Sequence, residues 1–311
     1  VIVYNVMGQA VATIADGPSG SGFIKSLKLT CTTADNSGQP NLANAAGYIV
    51  IDHRIEGQDL QGLAKGTSSA KPLTLSFWVK SNHTGTFNIE MVDQNNGRRI
   101  GSQYTISSSG TWEKKTFTFA GDTTGSLSND SNLSMYLRWW IAAGNNYRTG
   151  TNSGSWASTT SNQRAQSNQN MSGAVNRYFQ LTGVQLEVGS VATPLEHRTY
   201  GEELTRCQRY YTRTGVLTGQ VGAAYGKAYS TSEMFTTVCF PTSMRAAPTV
   251  TTYNNGGTAA GVHKLGNPDI DSISSIDRLD TRGFGRVNKT SAWATGDTDM
   301  YSFTWEASAE L

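Results

Sequence analysis

The sequence predicts an all-β protein: an antiparallel jelly-roll β-sandwich, then a short helical connector and a second, smaller β-sandwich domain. Two observations lead to this fold class. Short segments alternate apolar and polar residues at period 2, and turns rich in Gly, Ser, Thr and Asn separate them without helical runs between. The 311 residues are enough for one large or two medium globular domains. The seven tryptophans and thirteen tyrosines can supply their cores.

Four segments of the first half carry the alternation most clearly. They are LTLSFWVKS from position 73, GTFNIEMVD from 85, TWEKKTFTFAGD from 111 and LSMYLRWWIAAG from 133. In the last, Met135, Leu137, Trp139 and Ile141 share one face. Each segment is therefore expected to be a half-buried strand with one face toward a core.

The strand expected over 177–188 changes the parity of its apolar residues at Gly183. A β-bulge absorbs such a one-residue slip, and glycine is common at bulges. Pro194 then blocks further pairing. Thr199 and Glu202 form a Thr-x-x-Glu capping box, which predicts a helix start.

These signals divide the chain into three parts. Residues 1–197 are expected to form the jelly roll, 198–211 the helical connector and 212–311 the C-terminal β domain. In the last part, EMFTTVCFP and MYSFTWEASAEL alternate, and RAAPTVTTY carries Pro248, which favours an edge strand.

Composition argues against several classes of function. The net charge of +2 without a long run of one sign argues against nucleic acid as a partner. No apolar run approaches the ~18 residues that a membrane helix needs, so no membrane insertion is expected. Val1 is not Met, and no basic segment precedes the apolar opening, so we expect a larger parent protein rather than a signal peptide.

No catalytic or metal-binding motif is present, so no enzyme activity, catalytic residue or cofactor is expected. The four histidines are scattered, and Cys31, Cys207 and Cys239 lack zinc spacing and are expected to be free thiols. Three oxygen-rich turns, at 129–132, 268–271 and 296–299, leave Ca²⁺ open as a ligand, although none has a full ligand set. Paired carboxylates for glycoside hydrolysis also remain open.

The candidate ligand-binding residues lie in two places. Segment 144–173 is a long polar stretch containing Tyr147 and Trp156, and loops of this length are often functional. Tyr136, Arg138 and Trp140 lie opposite the core-facing residues of their strand, where rings and a polar fork would suit a glycan or a protein partner. The alternative is that this face is buried; Trp78 has the same ambiguity.

Residues 178–211, YFQLTGVQLEVGSVATPLEHRTYGEELTRCQRYY, resemble a signature of tail-fibre and related structural proteins of tailed bacteriophages. The matching positions are Gly183 to Pro194, Tyr200, Glu203, Leu204 and Cys207 to Tyr211, whereas Leu195 stands where Phe is usual. Segments 51–87, 111–125, 140–145 and 240–250 are also typical, so the resemblance covers most of the chain.

The resemblance implies a carbohydrate-binding-module-like jelly roll joined to a small β domain, located in the virion on a tail fibre or the capsid surface. It implies a homotrimer that contacts other virion proteins and adsorbs to a bacterial surface glycan or outer-membrane receptor. It supplies no binding residues. A capsid fibre or decoration protein, the binding module of a carbohydrate-active enzyme, and a depolymerase fibre remain alternatives.

Overall fold

A computed structural model of the chain describes residues 2–5, 10–35, 44–215, 217–218, 224–230, 232–264, 269–271, 273–289 and 300–310. The chain divides into two compact units, Val1–Leu195 and Glu196–Leu311. The division falls two residues before the end expected for the jelly roll. Within the described ranges, no helix is long and apolar enough to span a bilayer.

Within its described residues, the first unit contains eleven strands in two antiparallel sheets. In chain order they are β1 (Ile2–Asn5), β2 (Ala10–Asp16), β3 (Lys25–Cys31), β4 (Tyr48–Glu56), β5 (Leu73–Ser81), β6 (Gly85–Asp93), β7 (Arg98–Ile106), β8 (Glu113–Phe119), β9 (Leu133–Ala143), β10 (Ala157–Ser158) and β11 (Tyr178–Val188). The six-stranded sheet has the order β1-β4-β9-β6-β7-β10 and the five-stranded sheet β2-β3-β11-β5-β8. The predicted all-β sandwich is confirmed.

The core of the first unit lies between the two sheets, because each sheet turns its apolar residues inward. The inward set of β9 is the predicted one, Met135, Leu137, Trp139 and Ile141, and it meets Phe77 of the opposite sheet. The rings of Phe77 and Trp139 pack edge to face at 5.7 Å, a favourable geometry for aromatic pairs. Four short 3₁₀ helices, Gly57–Leu63, Asn145–Tyr147, Ser161–Gln163 and Met171–Gly173, lie in the connections.

The predicted bulge in β11 is confirmed. The register with β5 shifts between Thr182 and Gln185, and Gly183 has a positive φ of 59°. A Cβ atom at this position would lie 2.6 Å from the ring of Phe23. Glycine is therefore required here both by the backbone conformation and by the close approach of that ring.

The second unit begins with the predicted helix, α1 (Tyr200–Gln208), and Thr199 and Glu202 form both bonds of the capping box. Nine strands follow: β12 (Tyr211–Arg213), β13 (Ala224–Ala228), β14 (Glu233–Cys239), β15 (Thr249–Tyr253), β16 (Gly261–Lys264), β17 (Asp269–Asp271), β18 (Ile273–Asp277), β19 (Gly283–Lys289) and β20 (Met300–Ser308).

These nine strands, counted over the part of the second unit that the structure describes, form one connected antiparallel sheet, in which β20 is the central element. Its first half pairs with β13 and β16, and its second half pairs with β12 and β15. Tyr301, Phe303 and Trp305 point into a second core, as the alternation predicts. β15 follows Pro248 and pairs with β20 alone among the described strands, so the predicted edge strand is confirmed.

Candidate functional site

Segment 144–173 lies over the outer face of the six-stranded sheet. Its Ala165 and Tyr147 pack with Trp140 and Val50 in a small apolar cluster. Its backbone also bonds to the sheet, where the amide of Gly101 donates to the carbonyl of Ser153 at 3.1 Å. The side chain of Trp140 is consequently 0% exposed.

Arg164 of this segment is paired with a buried carboxylate beneath it. The Arg164 Nε donates to Glu90 Oε1 at 3.0 Å, and the Trp140 indole nitrogen donates to the same oxygen at 3.0 Å. Burial acts to lower the pKa of Arg164, but the adjacent Glu90 raises it overall. Arg164 therefore remains charged, and the pair clamps the segment onto the sheet.

Arg138, on the same face, is also ion-paired inside the chain. Its Nε and Nη2 donate to the two carboxylate oxygens of Asp52 at 2.7 and 2.6 Å, and its guanidinium lies 4.9 Å from the centroid of the Tyr136 ring. Burial raises the pKa of Asp52, while Arg138 opposes this rise. This bidentate pair fixes the orientation of the guanidinium and compensates its charge inside the chain.

The expectation of an open platform formed by Tyr136, Arg138 and Trp140 is therefore wrong. Tyr136 and Trp140 are both buried, because segment 144–173 covers them. The cations of this face, Arg138 and Arg164, are paired with Asp52 and Glu90. Tyr147 does lie beside this group, with its ring 5.2 Å from that of Trp140. Its contacts there are those of an anchor.

Trp156 is separate from that group and anchors the segment at a second point. It packs against the main core, and its indole nitrogen donates to the carbonyl of Ala120 at 2.6 Å. Tyr147 and Trp156, expected from the sequence as candidate ligand-binding residues, thus both serve as anchors of the long segment. The ring of Trp156 lies 5.7 Å from the ammonium of Lys65.

Lys65 is the centre of a buried charge cluster that the sequence did not indicate. Its ammonium contacts Asp93 at 2.5 Å and Asp122 at 3.1 Å, and donates to the carbonyls of Thr124 and Gly125. Arg98 is a second partner of Asp122, at 2.8 Å. The positive charge of Lys65 thus compensates the negative charges of Asp93 and Asp122.

The described residues contain no group of His, Cys, Asp or Glu that could hold a metal ion. In the turn at 129–132, Asp130 accepts bonds from Asn132 and Ser128 of the same turn, so its oxygens are used locally. The turn at 268–271 is described only over β17, and the turn at 296–299 lies outside the described residues.

The outer face of the five-stranded sheet bears aromatic rings and lysines that remain partly accessible. One cross-strand row is Lys28, Gln180 and Lys80, and the next is Thr182, Trp78 and Lys114. Lys28 lies 4.6 Å from the ring of Tyr178, and Lys80 lies 5.8 Å from the ring of Trp112. We call these six residues the lysine–aromatic face: Lys28, Trp78, Lys80, Trp112, Lys114 and Tyr178.

No lysine of this face forms a salt bridge with a described residue. The two rows contain no acidic side chain. Glu187 is nearby, and the charge of Lys114 helps to lower its pKa. Its carboxylate accepts a hydrogen bond from the backbone amide of Thr193. Lys114 is exposed, and the other five residues of the face are half-buried. The face therefore combines ring surfaces with lysines that form no salt bridge with a described residue.

Sequence analysis identified Trp78 as ambiguous and missed the other five members of this face. They come from β3, β5, β8, β11 and the residue before β8, and only the strand register brings them together. Flat rings can stack on sugar rings, and ammonium groups can bind carboxylates or phosphates. The arrangement is chemically suited to an anionic saccharide.

Comparisons with known proteins give weak likenesses. No protein-family model matches the sequence, and no curated protein matches it. The enzymatically active domain of tailspike protein 4 of bacteriophage CBA120 is 12% identical with a TM-score of 0.33, over 60% of this chain and 18% of that one. This chain thus spans under a fifth of the tailspike's length.

Two carbohydrate-binding modules are similar at the same level. A family 4 module is 12% identical with a TM-score of 0.30, covering 60% of this chain and 84% of the module. The family 11 module of Clostridium thermocellum, solved with a β-1,3-1,4-mixed-linked tetrasaccharide, is 13% identical with a TM-score of 0.30, covering 61% and 89%. Likenesses this weak do not extend to function.

Proposed function

We propose that this chain is a structural protein of a tailed-bacteriophage virion, tail-fibre-like, which binds a glycan of the host bacterial surface during adsorption. The observation that carries the binding role is the lysine–aromatic face, where three lysines without a salt bridge alternate with three aromatic rings. The resemblance of residues 178–211 to tail-fibre proteins supports the virion role. The role is binding without catalysis, and it requires no cofactor.

The proposed ligand class follows from the charge of the face. Many bacterial surface polysaccharides carry carboxylates or phosphates, and lysine ammonium groups attract such charges at moderate ionic strength. Stacking on Trp78, Trp112 or Tyr178 would supply the apolar part of the contact. Single contacts of this kind are weak, and a homotrimer would raise avidity by presenting three copies.

The proposed binding is tested with purified chain and a panel of polysaccharides. The anionic members are polygalacturonate, alginate, hyaluronate and polysialic acid, and dextran is the neutral control. We expect at least one anionic member to bind, more weakly as salt is raised. The variant Lys28→Gln/Lys114→Gln should weaken that binding at least tenfold, whereas Lys71→Gln/Arg282→Gln, with the same change in net charge at exposed residues outside the face, should not. Binding to none of the four, or equal loss in both variants, contradicts the proposal.

The native mass of the chain in solution tests the fibre role against its main alternative. A mass near three times 33.5 kDa is expected for a trimeric fibre module. A monomer that binds soluble polysaccharide would instead favour the accessory module of a carbohydrate-active enzyme. A capsid fibre or decoration protein shares the expected self-association and differs only in its place on the virion.

A further inference from the structure

The second unit has its own groove on the outer face of its sheet. A cross-strand row runs from Met300 through Lys227 and Phe235 to Arg286. Tyr225 lies on β13 beside this row. The groove has a volume of about 610 Å³ and is lined by Tyr225, Lys227, Phe235, Met300 and two threonines, among others. Tyr225 is 48% exposed and Met300 50% exposed, so the groove is open to ligand.

Positive charge at this groove is only partly compensated. Arg286 is bonded by the carboxylates of Glu233 and Asp277. Lys227 and Arg278, in contrast, form no salt bridge with any residue that the structure describes. Lys227 lines the groove and is the cross-strand neighbour of Phe235. The Arg278 guanidinium lies beside the groove, 4.8 Å from the centroid of the Phe235 ring.

Arg278 adopts a backbone conformation that arginine rarely takes. Its φ is +51°, in the left-handed region that Gly and Asn tolerate better. Strained positions of this kind concentrate at ligand-binding sites, where a particular side chain must be held in one place. The strain is an observation independent of the groove, and it falls on the residue that supplies one of the two cations.

We propose that this groove binds an anionic saccharide, with its sugar ring against Tyr225 and its carboxylate or phosphate between Lys227 and Arg278. The site lies on the second unit and shares no residue with the lysine–aromatic face. It therefore goes beyond the proposed function, and it stands even if that face binds nothing.

A saccharide fits the groove better than a protein surface does. Lysine is depleted at the cores of protein–protein interfaces, whereas here Lys227 lies within the row, between Met300 and Phe235. Tyr225, which is half exposed, and Thr237 line the groove, whereas the Thr236 hydroxyl donates to the carbonyl of Tyr225. A ring-bearing ligand with hydroxyls and one negative group uses all of these features.

The test uses the full chain labelled with ¹³C on its methionine methyl groups, because Met300 lies in the groove. Tetragalacturonate provides the carboxylate, glucose 6-phosphate the phosphate, and maltotetraose is the neutral control. We expect a saturable shift of the Met300 methyl signal with one or both anionic sugars and none with maltotetraose. The sugar that produces the shift identifies which anionic group the site takes.

The decisive variant is Lys227→Gln/Arg278→Asn. Asparagine tolerates the left-handed conformation, so the fold should be retained, and thermal unfolding checks this. The double variant should raise the dissociation constant at least tenfold, whereas Arg282→Gln/Lys71→Gln, with the same loss of charge, should not. Lys28→Gln/Lys114→Gln should leave the Met300 response intact, which separates this site from the lysine–aromatic face. No shift with either anionic sugar, an equal shift with maltotetraose, or an unchanged response in the double variant overturns the proposal.

Discussion

The two outer faces of the jelly roll carry similar residues and have different environments. On the six-stranded sheet, Arg138 lies between Tyr136 and Trp140, whereas on the five-stranded sheet Trp78 and Lys80 occupy equivalent alternate positions of β5. The first face is covered by segment 144–173, and Arg138 and Arg164 are paired there with buried carboxylates. The second is partly open, and its lysines form no salt bridge with a described residue.

The difference shows that the ion-pair partners of a cation indicate whether a sheet face is covered or open, whereas the aromatic residues on the face do not. A buried charge must be compensated, and the covered face has Asp52 on β4 and Glu90 on β6 for this purpose. Asp52 follows the apolar run YIVI, and Glu90 lies between Ile89 and Met91. This local pattern does not by itself indicate a covered face, because Glu187 of β11 also lies between apolar residues and is not buried. Burial of the acid, rather than its presence in the strand, distinguishes the covered face.

The largest effect is expected from Lys65→Met, which removes the cation beside the Trp156 anchor of the covering segment. Asp93 is 0% exposed and would lose its charged partner, whereas Asp122 would keep Arg98. Removing one partner of a buried ion pair costs about 3–5 kcal/mol, and we expect the upper end because Lys65 serves two carboxylates. Urea unfolding measures the change. A cost no greater than that of the exposed-pair variant Arg282→Gln would contradict the account.

Arg164→Leu should cost somewhat less, about 3 kcal/mol, because it leaves the buried Glu90 without its cation. Trp140 would remain a donor to Glu90, which limits the loss. The double variant Glu90→Gln/Arg164→Leu removes both charges and keeps an acceptor for the Trp140 indole, so it should be more stable than Arg164→Leu in the same urea assay. If the two variants are equally stable, the ion pair is not what holds the segment.

The folded state should also lose stability in acid, because the carboxylate of Asp122 is protonated there. Burial acts to raise the pKa of Asp122, but Arg98 and Lys65 hold it below its ordinary value of 3.8. A carboxyl with a lowered pKa stabilises the folded state above its unfolded pKa, and that stability is lost as the pH falls through the folded value. Urea midpoints between pH 5 and pH 2 should thus fall less steeply for Asp122→Asn than for the unmodified chain. Parallel curves would contradict this assignment.

The smallest effect on stability is expected at the lysine–aromatic face. Lys28→Gln/Lys114→Gln removes no buried pair, so the free energy of unfolding should change by less than about 1 kcal/mol, including the loss of the contact between Lys28 and the Tyr178 ring. A large loss of stability in urea unfolding would mean that these lysines are structural. Their contribution to glycan binding would then need another explanation.

Much of the fold was predictable because its signals are local. The alternation of β9, the bulge at Gly183 and the cap at Thr199 each depend on a few neighbouring residues. The candidate site was not predictable in the same way. Whether Trp140 is open depends on where segment 144–173 lies, and the lysine–aromatic face depends on the register of four strands. Nothing in the sequence predicted that Lys65 would be buried and ion-paired, because an isolated lysine in a turn is usually solvated.

The most direct test of the account is the indole region of a ¹⁵N spectrum of the full chain, recorded while the polysaccharide that binds most tightly in the panel is added. The seven tryptophans give separate signals, which single Trp→Phe variants assign. We predict that the signals of Trp78 and Trp112 shift and that those of Trp140 and Trp156 do not. Shifts confined to Trp140 and Trp156 would contradict the account, because the binding face would then be the covered one.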